Sequence, residues 1–116
     1  PVVDVNTNPA NPVIGTRSFG ENKERVAQKA SAFVKGLQHH GVMASAKHFP
    51  GHGDTQTDSH HTLPVVDHDQ ARLQSIELYP FKQLFADTLG SVMVGHLFVP
   101  AFENTPNLAS SLSPKI

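Results

Sequence analysis

The sequence predicts an α/β fold built on parallel strands, and three observations predict it. Short apolar runs at residues 2–5, 42–49 and 91–97 alternate with two stretches of helical periodicity. The connections between the runs are long enough for right-handed parallel crossovers. Each run also ends in polar residues: Asp4 and Asn6, Lys47 and His48, then His96. Ligand chemistry in parallel α/β folds gathers beyond the carboxyl ends of the strands, so the three ends are expected to converge on one face.

The elements follow in order. Residues 2–5 read as a short buried strand, and the turn-rich loop Thr7-Asn8-Pro9-Ala10-Asn11-Pro12 follows it. Residues 13–20 carry Arg17 and Phe19 and show no period. Asn22 is placed to cap a helix whose apolar face is Val26, Ala30, Phe33, Val34 and Leu37, and Gly41 stops it. Residues 42–49 form the second strand, and a polar loop runs on to about Pro64. A second helical region starts at Asp67 or Asp69, with Leu73, Ile76, Leu84, Phe85 and Leu89 on one face. Pro80 lies inside that pattern and is expected to kink or split it. Gly90 ends the region, residues 91–97 form a third buried strand, and the tail from Pro100 to Ile116 is loop-like.

Composition narrows the function classes. The 116 residues hold one domain at most, and nine basic against ten acidic residues imply no basic face for nucleic acid. The absence of cysteine excludes a disulfide framework and thiolate metal sites. No apolar run approaches the roughly 18 residues of a membrane span. The first residue is proline and no signal-like segment follows. A chain that opens directly on Pro-Val-Val-Asp-Val and stops at Ser-Pro-Lys-Ile is expected to be a piece of a longer polypeptide, cytoplasmic or exported.

Histidine is the compositional oddity: five of the eight (His39, His40, His48, His52, His60) fall between residues 39 and 60. The densest stretch is Lys47-His48-Phe49-Pro50-Gly51-His52-Gly53-Asp54-Thr55-Gln56-Thr57-Asp58-Ser59-His60. Asp58 stands two residues before His60, where it can orient one imidazole nitrogen and leave the other to give or take a proton. The same residues read equally well as ordinary loop decoration. Lys47 and His48 are either a solvated rim or a ligand site, and Arg17 is either solvated or paired with a nearby acid. His96 is either a satisfied core histidine or a ligand, while Asp4 could cap a turn or bind a substrate hydroxyl. His39, His40 and His68 are assigned to surface or helix-end duty. The candidates for a metal site (His48, His52, Asp54, Asp58, His60, His61) share one loop and lack a helical ligand spacing, so no metal is assigned.

Taken together, Lys47 to Asp54, Asp58-Ser59-His60 and Leu63-Pro64 resemble the N-terminal domain of glycoside hydrolase family 3, in its β-N-acetylhexosaminidase branch. Arg17-Ser18-Phe19-Gly20 and Val92-Met93-Val94-Gly95-His96 match neighbouring blocks in the same order, so the resemblance covers essentially residues 1–116. It implies part of a (β/α)8 TIM-type barrel, which needs about 250 residues, with this chain supplying about three strand–helix units. It implies a retaining glycosidase acting on terminal β-linked N-acetylglucosamine in an oligosaccharide or cell-wall fragment. Its acid/base would be His60 paired with Asp58, where most glycosidases use a carboxylic acid. Arg17, Lys47 and His48 would bind the sugar, with His96 near the pocket and Asp4 as a wall residue. No cofactor or metal is implied. The nucleophile would be an aspartate on a later strand; Asp67, Asp69 and Asp87 lie in helix or helix-start contexts and are not promoted. The competing readings are a glycoside phosphorylase or β-glucosidase of the same family, a non-catalytic sugar-binding fragment, and a metal-dependent hydrolase.

Overall fold

The computed structural model describes residues 1–56 and 62–116. Helix α1 spans Lys23–His39, and the Asn22 side chain caps it by accepting from Arg25 N at 2.8 Å. That bond satisfies one of the amides a helix start leaves without an internal partner. Val26, Ala27, Ala30 and Val34 are buried along the expected stripe, whereas Phe33 stays half exposed at the stripe's edge. Gly41 turns the chain out of the helix at φ +77°, a conformation that favours glycine.

Pro80 does split the second helical region. Helix α2 spans Gln70–Ser75 with Asp69 as its cap, and α3 spans Tyr79–Ala86 with Pro80 in its first turn. A proline there lacks an N–H the helix would not have used, so it starts α3 rather than breaking it. Phe85, expected on the buried face, is half exposed.

The strands are shorter than the apolar runs that announced them. Strands β1 (Ser45–Phe49) and β2 (Ser91–Val94) pair in parallel, Ser45 opposite Ser91 and Lys47 opposite Met93, with an irregularity between Lys47 and Phe49. Val42 and Met43 lie ahead of β1 and are exposed, because pairing begins only at Ala44, whose carbonyl accepts from Ser91 N at 3.1 Å. Residues 2–5 form a single parallel bridge, Val2 to Lys47, instead of a full strand. Val3 N donates to Lys47 O at 2.8 Å and Lys47 N to Pro1 O at 3.0 Å. Lys47 thus gives both backbone groups to this first segment, while β2 takes the other edge of β1. Strand β2 ends at Val94, and Met93 and Val94 are exposed rather than buried, since among the described residues nothing pairs with the outer edge of β2.

The main core joins α1, α3 and the sheet through Val3, Val26, Ala30, Val34, Ala44, Ala46, Phe81 and Leu84. Phe81 meets Phe49 edge-on with ring centroids 5.2 Å apart, the arrangement aromatic quadrupoles favour. A second cluster, Val66, Leu73, Leu97 and Val99, forms under the tail. Its backbone is tied by a parallel bridge between Val65 and Phe98. No helix among the described residues is long and apolar enough to cross a membrane.

Candidate active site

The polar face is built around Asp4. Val3 and Val5 anchor the first segment in the interior, and Asp4 between them has no exposed surface. Its carboxylate draws in the turn that follows β1. Oδ1 accepts from His52 N at 2.7 Å, both oxygens lie 3.2 Å from His48 N, and Oδ2 lies 2.8 Å from His48 Nδ1. A carboxylate oxygen only accepts, so each of these three nitrogens is a donor. Asp4, expected as a wall of the sugar pocket, is wholly buried beneath the turn, with its carboxylate turned to these donors.

Two glycines let the turn close over this point. Gly51 sits at φ +138°, and a Cβ on Gly53 would lie 1.9 Å from Val5 O. Backbone at that distance cannot move aside, so Gly53 is required by close approach. The Lys47–His48 and Phe49–Pro50 peptide bonds are cis. His52 is buried, with Nδ1 2.5 Å from Thr55 Oγ1 and its ring set edge-on to that of His48 at 5.7 Å.

The other predicted residues are arranged around this turn. Asn11 ties the first loop to it, donating to His52 O at 2.8 Å and accepting from Val13 N and Ile14 N. That holds the 3₁₀ turn Gly15–Arg17, whose Arg17 is exposed and folds back to donate to Val13 O. Next to it, Ser18 Oγ donates to Asp4 O at 2.8 Å, so the arginine segment is fastened to the backbone of the buried aspartate. Just past β2, Gly95 N donates to Phe49 O at 2.7 Å, and a Cβ on Gly95 would meet His48 Cβ at 3.3 Å. His96 follows at this close contact, exposed and outside the strand, with Nδ1 2.8 Å from Ser111 Oγ. It is not a core histidine. Lys47 is half-buried on β1. The structure therefore gathers Lys47, His48, the Arg17 segment and His96 around one turn. Asp58 and His60 lie outside the described residues.

Sequence reasoning missed several participants. His68, assigned to surface duty, places Nε2 2.6 Å from Asp54 Oδ2. Arg72 joins them, with Nη2 3.5 Å from the same oxygen and 3.1 Å from Glu77 Oε1, and Glu77 is almost wholly buried. Asp54 and His68 line a cleft of about 450 Å³ with Gln56, Thr62, Leu63 and Asp67. The pairing of Asp54 with a histidine 14 residues on carries no local signal in the sequence. His39 and His40 do sit at the end of α1, where His40 Nδ1 meets Gly36 O. Among the described residues, no group of three or more His, Cys, Asp and Glu side chains could hold a metal ion.

The turn after β1 thus presents an oriented His48 beside Lys47 at a strand end of an α/β scaffold. The chain belongs to the glycosyl hydrolase family 3 N terminal domain, whose sequence model matches residues 1–116. It is 47% identical over 106 residues to a beta-hexosaminidase A of Pseudoalteromonas piscicida, covering 90% of this chain and 18% of that one. The structure of a glycoside hydrolase family 3 beta-N-acetylglucosaminidase from Paenibacillus superposes with a TM-score of 0.95 at 49% identity, covering 97% of this chain and 21% of that one. NagZ from Neisseria gonorrhoeae, in complex with N-trifluoroacetyl-D-glucosamine, gives a TM-score of 0.82 at 38% identity, covering 91% and 31%. The chain thus spans less than a third of each relative's length. Its parallel segments and crossover helices are part of a (β/α)8 barrel.

Proposed function

We propose that this chain supplies the acid/base loop and part of the sugar-binding face of a retaining β-N-acetylhexosaminidase, the rest of the barrel coming from the parent polypeptide. The observation that carries the reading is the turn after β1, where the buried Asp4 aims His48 beside Lys47 at a strand end leading directly into Asp58-Ser59-His60. Lys47, Arg17 and His48 contact an N-acetylglucosamine unit, with His96 at the margin. The substrate is a terminal β-linked N-acetylglucosamine on an oligosaccharide or cell-wall fragment.

The reaction runs in two steps. His60, as imidazolium oriented by Asp58, gives its proton to the departing glycosidic oxygen. A carboxylate from elsewhere in the parent barrel attacks the anomeric carbon, forming a covalent glycosyl-enzyme and releasing the aglycone. Neutral His60 then takes a proton from water while the water oxygen bonds to the anomeric carbon, and the carboxylate leaves with the sugar's configuration retained. A neutral-to-cationic acid/base keeps a second anion away from the nucleophile.

The test is p-nitrophenol release from its β-N-acetylglucosaminide by the full-length parent, wild type against His60→Ala. General acid–base catalysis of this kind contributes about 10²–10⁴-fold, and a loss of that size, partly restored by azide in deglycosylation, is expected. Release unchanged in the mutant, or absent in wild type, overturns the assignment. Turnover that depends on inorganic phosphate would make the enzyme a phosphorylase instead.

A further inference from the structure

We propose that Asp4 is a positioning residue that sets the tautomer of His48, holding the proton on Nδ1 and leaving Nε2 as a hydrogen-bond acceptor toward the sugar. This rests on the reading of His48 as a sugar contact. The geometry assigns the roles atom by atom. Asp4 Oδ2 lies 2.8 Å from His48 Nδ1, and Oδ1 takes His52 N at 2.7 Å, with His48 N between them at 3.2 Å from each oxygen. The same carboxylate that folds the turn therefore also orients the ring. Asp4 has no exposed surface and the His48 side chain is only 16% exposed, so the carboxylate rather than bulk water is the standing partner of Nδ1.

The consequence is directional. In a neutral imidazole one nitrogen donates and the other accepts, and the hydrogen bond at one nitrogen decides the role of the other. With Nδ1–H committed to Asp4, Nε2 accepts from a sugar hydroxyl. That hydroxyl keeps its lone pairs for donor-only cations such as Lys47 and Arg17. A ring with the proton on Nε2 would place a third donor beside two cations and leave the hydroxyl proton without an acceptor. Asp4 thereby matches the face to hydroxyl groups without touching them.

Asp4→Asn in the full-length parent separates this role from the structural one. An asparagine oxygen at the Oδ1 position still accepts from His52 N and His48 N. Its amide then faces Nδ1 as a donor, so the ring proton must move to Nε2. Long-range ¹H–¹⁵N spectra at neutral pH, with the ring assigned by comparison with His48→Gln, report the tautomer directly. The expected result is Nδ1–H in wild type and Nε2–H in Asp4→Asn. In parallel, KM for the p-nitrophenyl substrate and Kd for N-acetylglucosamine should rise roughly tenfold or more, with a smaller change in kcat, since each tenfold corresponds to one lost hydrogen bond of about 1.4 kcal/mol.

A wild-type ring with the proton on Nε2 overturns the proposal, and so does unchanged affinity in an Asp4→Asn variant whose tautomer has switched. Should the asparagine variant fail to fold, the wild-type spectrum alone decides. The His48→Gln control keeps the two readings apart. If it leaves affinity untouched, His48 is no sugar contact and the binding-face assignment fails. If it weakens binding while the switched tautomer does not, only the role of Asp4 fails.

Discussion

Two histidine–aspartate pairs stand at opposite ends of the same loop system, and their distances hardly differ: 2.8 Å for Asp4–His48 and 2.6 Å for Asp54–His68. Their surroundings differ far more. Asp4 has no exposed surface and receives three N–H donors, two of them from the backbone. Asp54 and His68 are each about a quarter exposed, and Asp54 shares its charge with Arg72. A contact distance alone therefore ranks these pairs wrongly. Burial and the number of donors left stranded by removal determine the energetic cost.

Breaking the pair at each end tests that ranking, and Asp4→Ala should have the largest effect of any change here. It leaves one buried donor, His52 N, and two part-buried ones, His48 N and Nδ1, without their acceptor, and at about 1–3 kcal/mol for the buried one and less for the others a loss of a few kcal/mol is expected. Urea unfolding of the full-length parent would show a large drop in midpoint or no folded protein. A loss under about 1 kcal/mol would mean that water reaches the pocket and that the contrast with Asp54 is false.

Glu103 sharpens the comparison from outside the site. It is buried under the tail and held by Ser113 Oγ, Thr105 N and Lys115 Nζ rather than by a histidine. The Ser113 hydroxyl and then the Thr105 amide, chiefly, pull its carboxyl down from 4.5 to about 2. A depressed carboxylate pKa adds stability that is complete above the unfolded value and is lost as pH falls through the folded one. Stability should thus decline between about pH 4.5 and about 2. Glu103→Gln should flatten that part of the profile in thermal melts across the range. An unchanged slope would show that these bonds do not hold the carboxylate.

The smallest effect is expected at the partly exposed pair. His68→Gln should cost roughly 0–1 kcal/mol in the same urea unfolding, because water reaches both partners and can replace the lost bond. A cost comparable to that of Asp4→Ala would overturn the distinction between the two regions.

The amino-acid sequence alone determined the α/β order, the Asn22 cap, the Gly41 stop and the division of the second helical region at Pro80. Each is a local instruction, acting through one or two torsions or through side-chain periodicity within a few residues. It also carried the concentration of His, Lys and Asp after β1 and the match to glycoside hydrolase family 3. Tertiary structure decided where the strands begin and end, which left Val42 and Met43 exposed and reduced residues 2–5 to one bridge. Strand limits depend on a partner's reach, and the pairing partners of β1 lie more than 40 residues away. Only tertiary structure, too, made Asp4 the acceptor beneath His48 and His52, 44 and 48 residues on. A carboxylate's role is set by whether water or amide donors surround it, and that is decided by packing, not by its neighbours in the chain.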